Sequence, residues 1–490
     1  MGLKADSSFL RFVTMGAVGT LATIEQLREA GFEPIELERY STSNKIWQTK
    51  VKRLRLPDVL CARTGIRFEA RGKSKLAVKM SHSPNNSDRA WDVGLRDRDI
   101  VAFLPVTEPE EDTFEAPHPA TCFEVGDLRE TFDKAKLGPM KSASEGAEQD
   151  VEWPSTVPKK DGRVTAIEGG RLSIYKNGEA RPNYTYVLKK KHPYVQVGEQ
   201  FTAHASMLAG VVPAKADLES RLADTWSPTQ DLLSDNAFDR YAAVKAIPVR
   251  PDEHEAALPI LCDMLNDEPD ARVKVEVAAT LAKLGHQEGV AQLRTELFTP
   301  SEPHLRMEAA LILTEVGTEE CADVLYEIAC DGMFHEDEVR QAAVWGLGAA
   351  GCRDYSRLVS FISDEEEEVA LHAVCAFGDD IPEEVVDQLV ELLQGTDERS
   401  QASASYVLSK IGGEKVIRSL IPLTEEDGVA CVWAMATLGR LPENDVADVP
   451  EAEHLIPQLA PLFLLNERNW LSAGSRPEAL GFLEAQVIGD

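Results

Sequence analysis

Apolar residues are spaced helically over residues 9–31, with Leu21, Ile24, Leu27 and Ala30 on one face and Gly31 as a stop. A helix is expected there. The period then drops to two. Residues 33–40 and 45–52 alternate, residues 54–61 and 66–78 continue as strands, and 99–106 (DIVAFLPV) is an apolar run of buried-strand type. Residues 125–136 suggest a short helix between two polar connectors. From residue 161, short alternating segments are broken by Glu168-Gly169-Gly170, Asn177-Gly178 and Val197-Gly198. Asn-Gly between two such segments signals a hairpin.

From residue 213 the pattern is helical to the end. A segment ending in glycine recurs, as in ARVKVEVAATLAKLG (271–285), HLRMEAALILTEVG (304–317) and DEVRQAAVWGLGAAG (337–351). The closing glycines fall at 285, 317, 351, 378, 412 and 439. Helix pairs repeating at this interval read as an α-solenoid, with small alanines allowing close packing and glycine capping the second helix. Four segments are therefore expected. They are a basic α/β domain (1–115), a linker with a short helix (116–160), a small β domain (161–212) and a repeat array with a C-terminal cap (213–490).

Charge sharpens this division. The 490 residues carry a formal net charge of −32, yet residues 39–98 sum to +10 and residues 213–490 to −34. An acidic surface suits solubility and also a salt-rich, halophilic cytoplasm. A basic island inside it calls for its own explanation. No stretch approaches the ~18 consecutive apolar residues of a membrane span, and the N-terminus lacks the apolar run of a secretory signal, so a cytoplasmic location is expected. The eight cysteines form no CxxC pair. Cys61-Ala62-Arg63-Thr64 has threonine where a second zinc ligand would stand.

The candidate chemistry lies on the basic island. Over 66–78 a period of two puts Arg67, Glu69, Arg71, Lys73 and Lys75 on one face. Asp58, on the preceding strand, is expected beside Glu69. Arg53, Arg55 and Lys79 extend the cationic surface, and Tyr40, Trp47 and Trp91 lie in or beside it. Cations with interleaved aromatics are the composition of a nucleic-acid-binding face. A solvated charged strand face, and aromatics packed in the core, are the plain alternatives. The Asp364–Glu368 run likewise reads as a helix start whose acids suit the helix dipole.

Pro57-Asp58, then Glu69-Ala70-Arg71 after a leading helix, resembles the restriction-endonuclease-like PD-(D/E)xK nucleases over roughly residues 9–106. The resemblance implies Asp58 and Glu69 as ligands of a divalent metal, Mg2+ or Mn2+, with a lysine beside the attacking water. Here Arg71 occupies the lysine position. An arginine stays protonated and clamps phosphate rather than acting as a base, so Lys73, one pair further along, is the candidate catalytic lysine. Glu25 or Glu29 on the leading helix is a candidate third carboxylate. Residues 161–212 resemble a barrel-sandwich hybrid module without the carrier lysine motif. The repeats resemble HEAT repeats, including the short HEAT-like type of phycobilin lyases.

Three functions follow as expectations. The first is a HEAT-repeat scaffold that binds a protein partner on its concave face and carries a basic module for DNA, RNA or another polyphosphate at Arg53, Arg55, Arg67, Arg71, Lys75 and Lys79. The second is a metal-dependent nuclease using Asp58, Glu69 and Lys73. The third is a purely structural adaptor.

Overall fold

The computed structural model describes residues 7–37, 54, 56–110, 113–141, 147–299, 302–334, 338–378 and 380–467. Arg53, Arg55, Tyr40, Trp47 and the strand expected over 45–52 lie outside the described residues. The chain divides into two compact units, residues 1–289 and 290–490.

The first unit begins with α1 (Ser7–Glu29), followed by β1 (Pro34–Glu36), β2 (Val59–Cys61), β3 (Arg67–Lys73), β4 (Val78–His82) and β5 (Ile100–Pro105). A small hairpin, β6 (Thr107–Glu110) and β7 (Thr113–Glu115), leads to β8 (Thr121–Glu124). One sheet runs β1-β2-β3-β5-β8, antiparallel except for the parallel β3–β5 pair. Helix α1 covers one face of it. Phe68, Ile100, Ala102 and Leu104 pack there with Ile24 and Leu27. The close fit explains two glycines. The ideal Cβ position on Gly19 lies 3.1 Å from the Gly72 Cα, and one on Gly72 lies 2.9 Å from the Met15 carbonyl oxygen. Gly19 therefore serves helix–strand contact.

The long strand expected over 66–78 is broken. It ends at Lys73, bends at the exposed Ser74 and Lys75, and resumes as β4 in a different sheet. Phe68 faces α1, whereas Leu76, Val78 and Met80 enter a second core with Val101, Phe103, Phe123, Val151 and Trp153. The bend carries the even-numbered residues from one side of the sheet to the other.

That second core corrects the linker expectation for 116–160. β8 pairs with β5, α2 (Val125–Glu130) buries Val125 and Leu128, and β9 (Lys136–Leu137) pairs with β10 (Gln149–Trp153). β10 in turn pairs with β4. Acidic, Ser- and Pro-rich composition made this stretch look like a connector, yet Phe123, Val125, Leu128, Val151 and Trp153 are buried, while Leu137 and Met140 stay exposed. Trp91 belongs to the same core, edge-on to Trp153 at 5.2 Å between ring centroids.

Next come β11 (Ser155–Thr156), β12 (Gly162–Glu168), β13 (Arg171–Lys176), β14 (Asn183–Val187), β15 (His192–Pro193), β16 (Gln200–Phe201) and β17 (Ala209–Gly210). They form a four-stranded antiparallel sheet, β14-β13-β12-β16, and a three-stranded one, β11-β17-β15. Both sheets contribute to a core containing Val164, Leu172, Ile174, Phe201 and Ala209. The two-residue turn is Gly169-Gly170, both at positive φ. Asn177-Gly178 instead opens a longer connection between β13 and β14.

Helices α3 (Leu218–Arg221), α4 (Pro228–Asp231), α5 (Ala237–Ala246), α6 (His254–Asp267) and α7 (Ala271–Lys283) complete this unit. Leu37 and Leu60 pack with Ala242 and Ala246, so the first helices share a core with the sheet. The division itself falls inside α8 (Gln287–Phe298).

The second unit is helical. It holds α9 (Pro303–Val316), α10 (Glu319–Cys330), α11 (Glu338–Leu347), α12 (Tyr355–Val359), α13 (Glu367–Ala376), α14 (Glu383–Gln394), α15 (Glu398–Ile411), α16 (Gly413–Thr424), α17 (Val429–Leu438), α18 (Glu443–Ala447) and α19 (Ile456–Glu467). Ala309, Ala310, Ala342 and Ala343 are fully buried between neighbouring helices. Gly317 and Gly412 follow their helices at positive φ. Gly439, at φ −68°, is not a left-handed cap, and its ideal Cβ position lies 2.5 Å from Leu462. Within the Asp364–Glu368 run, Asp364 and Glu366 receive the partly buried Arg340 guanidinium at 2.6 and 3.2 Å. No helix among the described residues is long and apolar enough to cross a membrane.

Candidate functional site

Strand β3 turns Glu69, Arg71 and Lys73 away from α1, and all three are half-buried. Arg71 forms an ion pair with Glu69 two residues away on the same strand face. Val59 pairs with Phe68, so the next position in the register sets Asp58 across from Glu69. The Asp58 carboxylate accepts the Ala70 N–H at 2.7 Å and its carbonyl accepts the Leu37 N–H at 3.0 Å. Asp58 and Glu69 are thus brought together, as the sequence suggested.

Lys73 sits at the end of this row. Burial, followed by the nearby positive charges of Arg71 and Lys79, pulls its ammonium down to about 8. Asp150 opposes that shift. Asp150 itself binds Lys79 at 2.8 Å and Lys141 at 3.1 Å, and these hydrogen bonds hold its carboxyl below the usual range. Lys141 also donates to the Ser81 hydroxyl at 2.9 Å. Among the described residues Lys73 forms no ion pair. Arg71, Lys73, Lys79 and Lys141 therefore make a cation cluster in which Glu69 and Asp150 are ion-paired and Glu152 stands opposite Lys79 in the β4–β10 register. Like charges held this close repel one another, which is part of what lowers Lys73.

Two of the expected cations are placed differently. The Arg67 side chain is 1% exposed and donates to Asp239 at 2.6 Å and to the Gly94 carbonyl at 2.8 Å. Its peptide N–H donates to Asp99 at 3.0 Å. Arg67 ties the sheet to α5 and does not join the open face, because the lower half of that face is covered by helix. Lys75 is exposed but lies past the end of β3. Glu25 and Glu29 are on α1, which packs on the opposite face of the sheet from Glu69, so neither completes a carboxylate trio there. Glu29 instead lines a cavity of about 390 Å³ with Leu27, Phe68, Ala102 and Cys122. Burial pushes the Cys122 thiol up to about 12.

A divalent metal of the kind the nuclease resemblance implies needs several oxygen donors. Asp58 and Glu69 supply two carboxylates, and Glu69 is engaged by Arg71. Among the described residues no group of three or more His, Cys, Asp or Glu side chains is arranged to hold a metal ion. Lys141 and Asp150 were not legible as site residues. The only signal was the alternation Asp150, Val151, Glu152, Trp153, which places Asp150 on the outer side of a strand whose inner side is buried.

Comparison with known proteins bears on the repeats. Residues 355–439 match the family model for HEAT repeats. No curated protein sequence matches the chain. Among solved structures, similarity extends to the complex of CpcE and CpcF of phycocyanin lyase from Nostoc sp. PCC7120. The identity there is 21% over 48% of this chain and 93% of that one, with a TM-score of 0.25. Human deoxyhypusine hydroxylase is 19% identical over 48% of this chain and 94% of its own, with a TM-score of 0.21. A designed armadillo repeat protein is 20% identical over 37% and 98%, with a TM-score of 0.20. Residues 355–439 are thus HEAT-like, within a C-terminal region that is helical.

Proposed function

We propose that this chain is a HEAT-like repeat interaction protein whose strand-rich N-terminal region binds the phosphates of a nucleic acid or another polyphosphate over Arg71, Lys73, Lys79 and Lys141, with Lys75 at the margin. The observation that carries the reading is Lys73, which is half-buried, flanked by two like charges and lowered to about 8. A phosphate group seated there offsets both the desolvation and the repulsion. The interaction role rests on the repeats, since stacked helix pairs offer extended surfaces to partners. The test uses the full chain and labelled DNA and RNA oligonucleotides across a salt series. Binding is expected to weaken with salt, and Arg71→Gln and Lys79→Gln are each expected to reduce the log–log slope by about 1. Variants that bind with an unchanged affinity and slope would remove the reading.

A second reading, that of a metal-dependent nuclease, is favoured by the juxtaposition of Asp58 and Glu69 with a lysine of lowered pKa on the same strand. It treats the helix and the strands bearing Asp58 and Glu69 as a restriction-endonuclease-like core. It requires Arg71 to release Glu69. Cleavage of an oligonucleotide by the full chain that needs Mg2+ or Mn2+ and is lost in Asp58→Ala is its expected result. Metal-independent binding without cleavage contradicts it. The paired sheets of residues 155–210 support a barrel-sandwich hybrid arrangement, for which the expected role is spacing rather than catalysis.

A further inference from the structure

Seven of the nine solvent-facing stripe positions on three repeat helices of the second unit are uncharged, Glu368 and Arg399 at the N-terminal edge being the exceptions. On α13, α15 and α17 the exposed or half-exposed positions follow the same i, i+3, i+7 spacing, at 368, 371 and 375, at 399, 402 and 406, and at 429, 432 and 436. The outward residues include Leu371 (59% exposed), Tyr406 (54%), Val429 (60%) and Val432 (66%), with Cys375 and Ala402 between them. Surface helices ordinarily turn charged residues outward. Helix α17, VACVWAMATL, has no charged residue at all. Hydrogen bonds link the three helices. Trp433 donates to the Gln401 side chain at 3.0 Å and Ser405 meets Thr437 at 2.7 Å, which joins α17 to α15. Lys410 donates to the Cys375 carbonyl at 3.0 Å, which joins α15 to α13.

The N-terminal edge of the same three helices is acidic. Glu365, Glu367 and Glu368 precede or open α13, Asp397 and Glu398 open α15, and Glu425, Glu426 and Asp427 lie ahead of α17, all exposed. Among the described residues Arg399 is the one cation on that edge, and its guanidinium lies 3.5 Å from the Glu365 carbonyl oxygen. An apolar strip with an acidic border on one side specifies the chemistry of what covers it.

We propose that this face docks a basic amphipathic helix of a protein partner. Its apolar side lies across Leu371, Tyr406 and Val432, and its lysines or arginines meet the acidic edge. Helices in direct contact pack about 8–10 Å apart, so three neighbouring stripes span at least roughly 20 Å, the length of a helix of about 13 residues. The proposal rests on the interaction-scaffold reading above and names its partner class.

The test measures binding of the full chain to a labelled 14-residue peptide of leucine and lysine in amphipathic order, beside a scrambled peptide of the same composition. The ordered peptide is expected to bind at least about tenfold tighter, and Val432→Asp and Tyr406→Ala are each expected to remove most of that preference. Val432→Thr, which keeps the shape, checks the fold by an unchanged helical circular dichroism signal. Glu425→Gln with Glu426→Gln is expected to flatten the salt dependence. Equal binding of both peptides, or an ordered-peptide affinity untouched by Val432→Asp, overturns the proposal. So does concentration-dependent dimerisation that Val432→Asp abolishes without any peptide binding, since a second copy then covers the face. Oligonucleotide binding by the same variants is unaffected in every case, which separates failure here from failure of the phosphate-binding reading.

Discussion

Arg67 and Asp239 are 172 residues apart in sequence, and the Arg67 guanidinium lies 2.6 Å from the Asp239 carboxylate with its side chain 1% exposed. Arg96 binds the same carboxylate at 2.7 Å and Asp231 at 2.7 Å. The sheet that carries Glu69, Arg71 and Lys73 is thereby bolted to the first helices. Removing one partner of a buried pair leaves an uncompensated charge. Asp239→Asn is expected to destabilise the first unit by about 3–5 kcal/mol, read as a shifted urea midpoint. Burial pushes the Asp239 carboxyl up, but Arg67 and Arg96 outweigh it and hold the group below the usual range. Its stabilisation is therefore complete above the ordinary aspartate pKa and is lost as the pH falls through the lowered one.

Lys73 has the opposite linkage. Its folded-state pKa, about 8, lies below the ordinary 10.5. Below pH 8 the lysine is charged in both states and the folded state bears the full cost. Stability from this group rises as the pH climbs between the two values, because the folded chain sheds its proton first. Lys73→Met is expected to raise the urea midpoint at pH 7 and to lose most of that advantage by pH 10. An equal midpoint shift at both pH values would show that Lys73 bears no such cost.

Glycine at position 72 is required by the 2.9 Å approach of its ideal Cβ position to the Met15 backbone. A backbone neighbour cannot rotate away, so Gly72→Val is expected to cost about 1–3 kcal/mol. Because β3 carries the cation row, the same variant is expected to weaken oligonucleotide binding, whereas Gly16→Ala, inside α1 with nothing within 4 Å, leaves binding unchanged and raises stability by up to about 1 kcal/mol. Thermal unfolding and binding on the same samples make the check.

Period and spacing exposed much of this architecture and some of the candidate site. The 3.6-residue spacing around Ile24 and Leu27 is local, and so is the alternation that brings Glu69, Arg71 and Lys73 to one face. Asp58 beside Glu69 followed from adjacent antiparallel strands. The destination of Arg67 did not, because its partner Asp239 is supplied by a helix whose docking no local pattern records. The break after Lys73 was hidden for a related reason. Leu76, Val78 and Met80 continue the same parity, and only the bend at Ser74 and Lys75 assigns them to the other core. Lys141 and Asp150 sat in a stretch whose composition resembles a connector, and their role depends on β10 pairing with β4 across about 70 residues of chain.

In the second unit the Asp364–Glu368 run is divided in function. Asp364 and Glu366 bind Arg340, which also donates to the Ala329 carbonyl at 2.9 Å, while Glu365, Glu367 and Glu368 are exposed. Asp364→Ala is expected to destabilise the repeats by about 2–3 kcal/mol, short of the loss for a fully buried pair because Glu366 remains as a partner. Glu367→Gln is expected to stay within about 0.5 kcal/mol of the parent. Urea unfolding of the two variants side by side separates the structural acids from the solvated ones.

The most direct measurement is oligonucleotide binding by the full chain from pH 7 to pH 10 at fixed low salt, with Lys73→Arg and Lys73→Gln beside the parent. If phosphate sits on Lys73, parent affinity begins to fall as the pH passes about 8, Lys73→Arg stays flat because its charge does not titrate over this range, and Lys73→Gln binds weakly throughout. Three indistinguishable profiles, or no binding by the parent at the lowest salt, would contradict the phosphate-binding face.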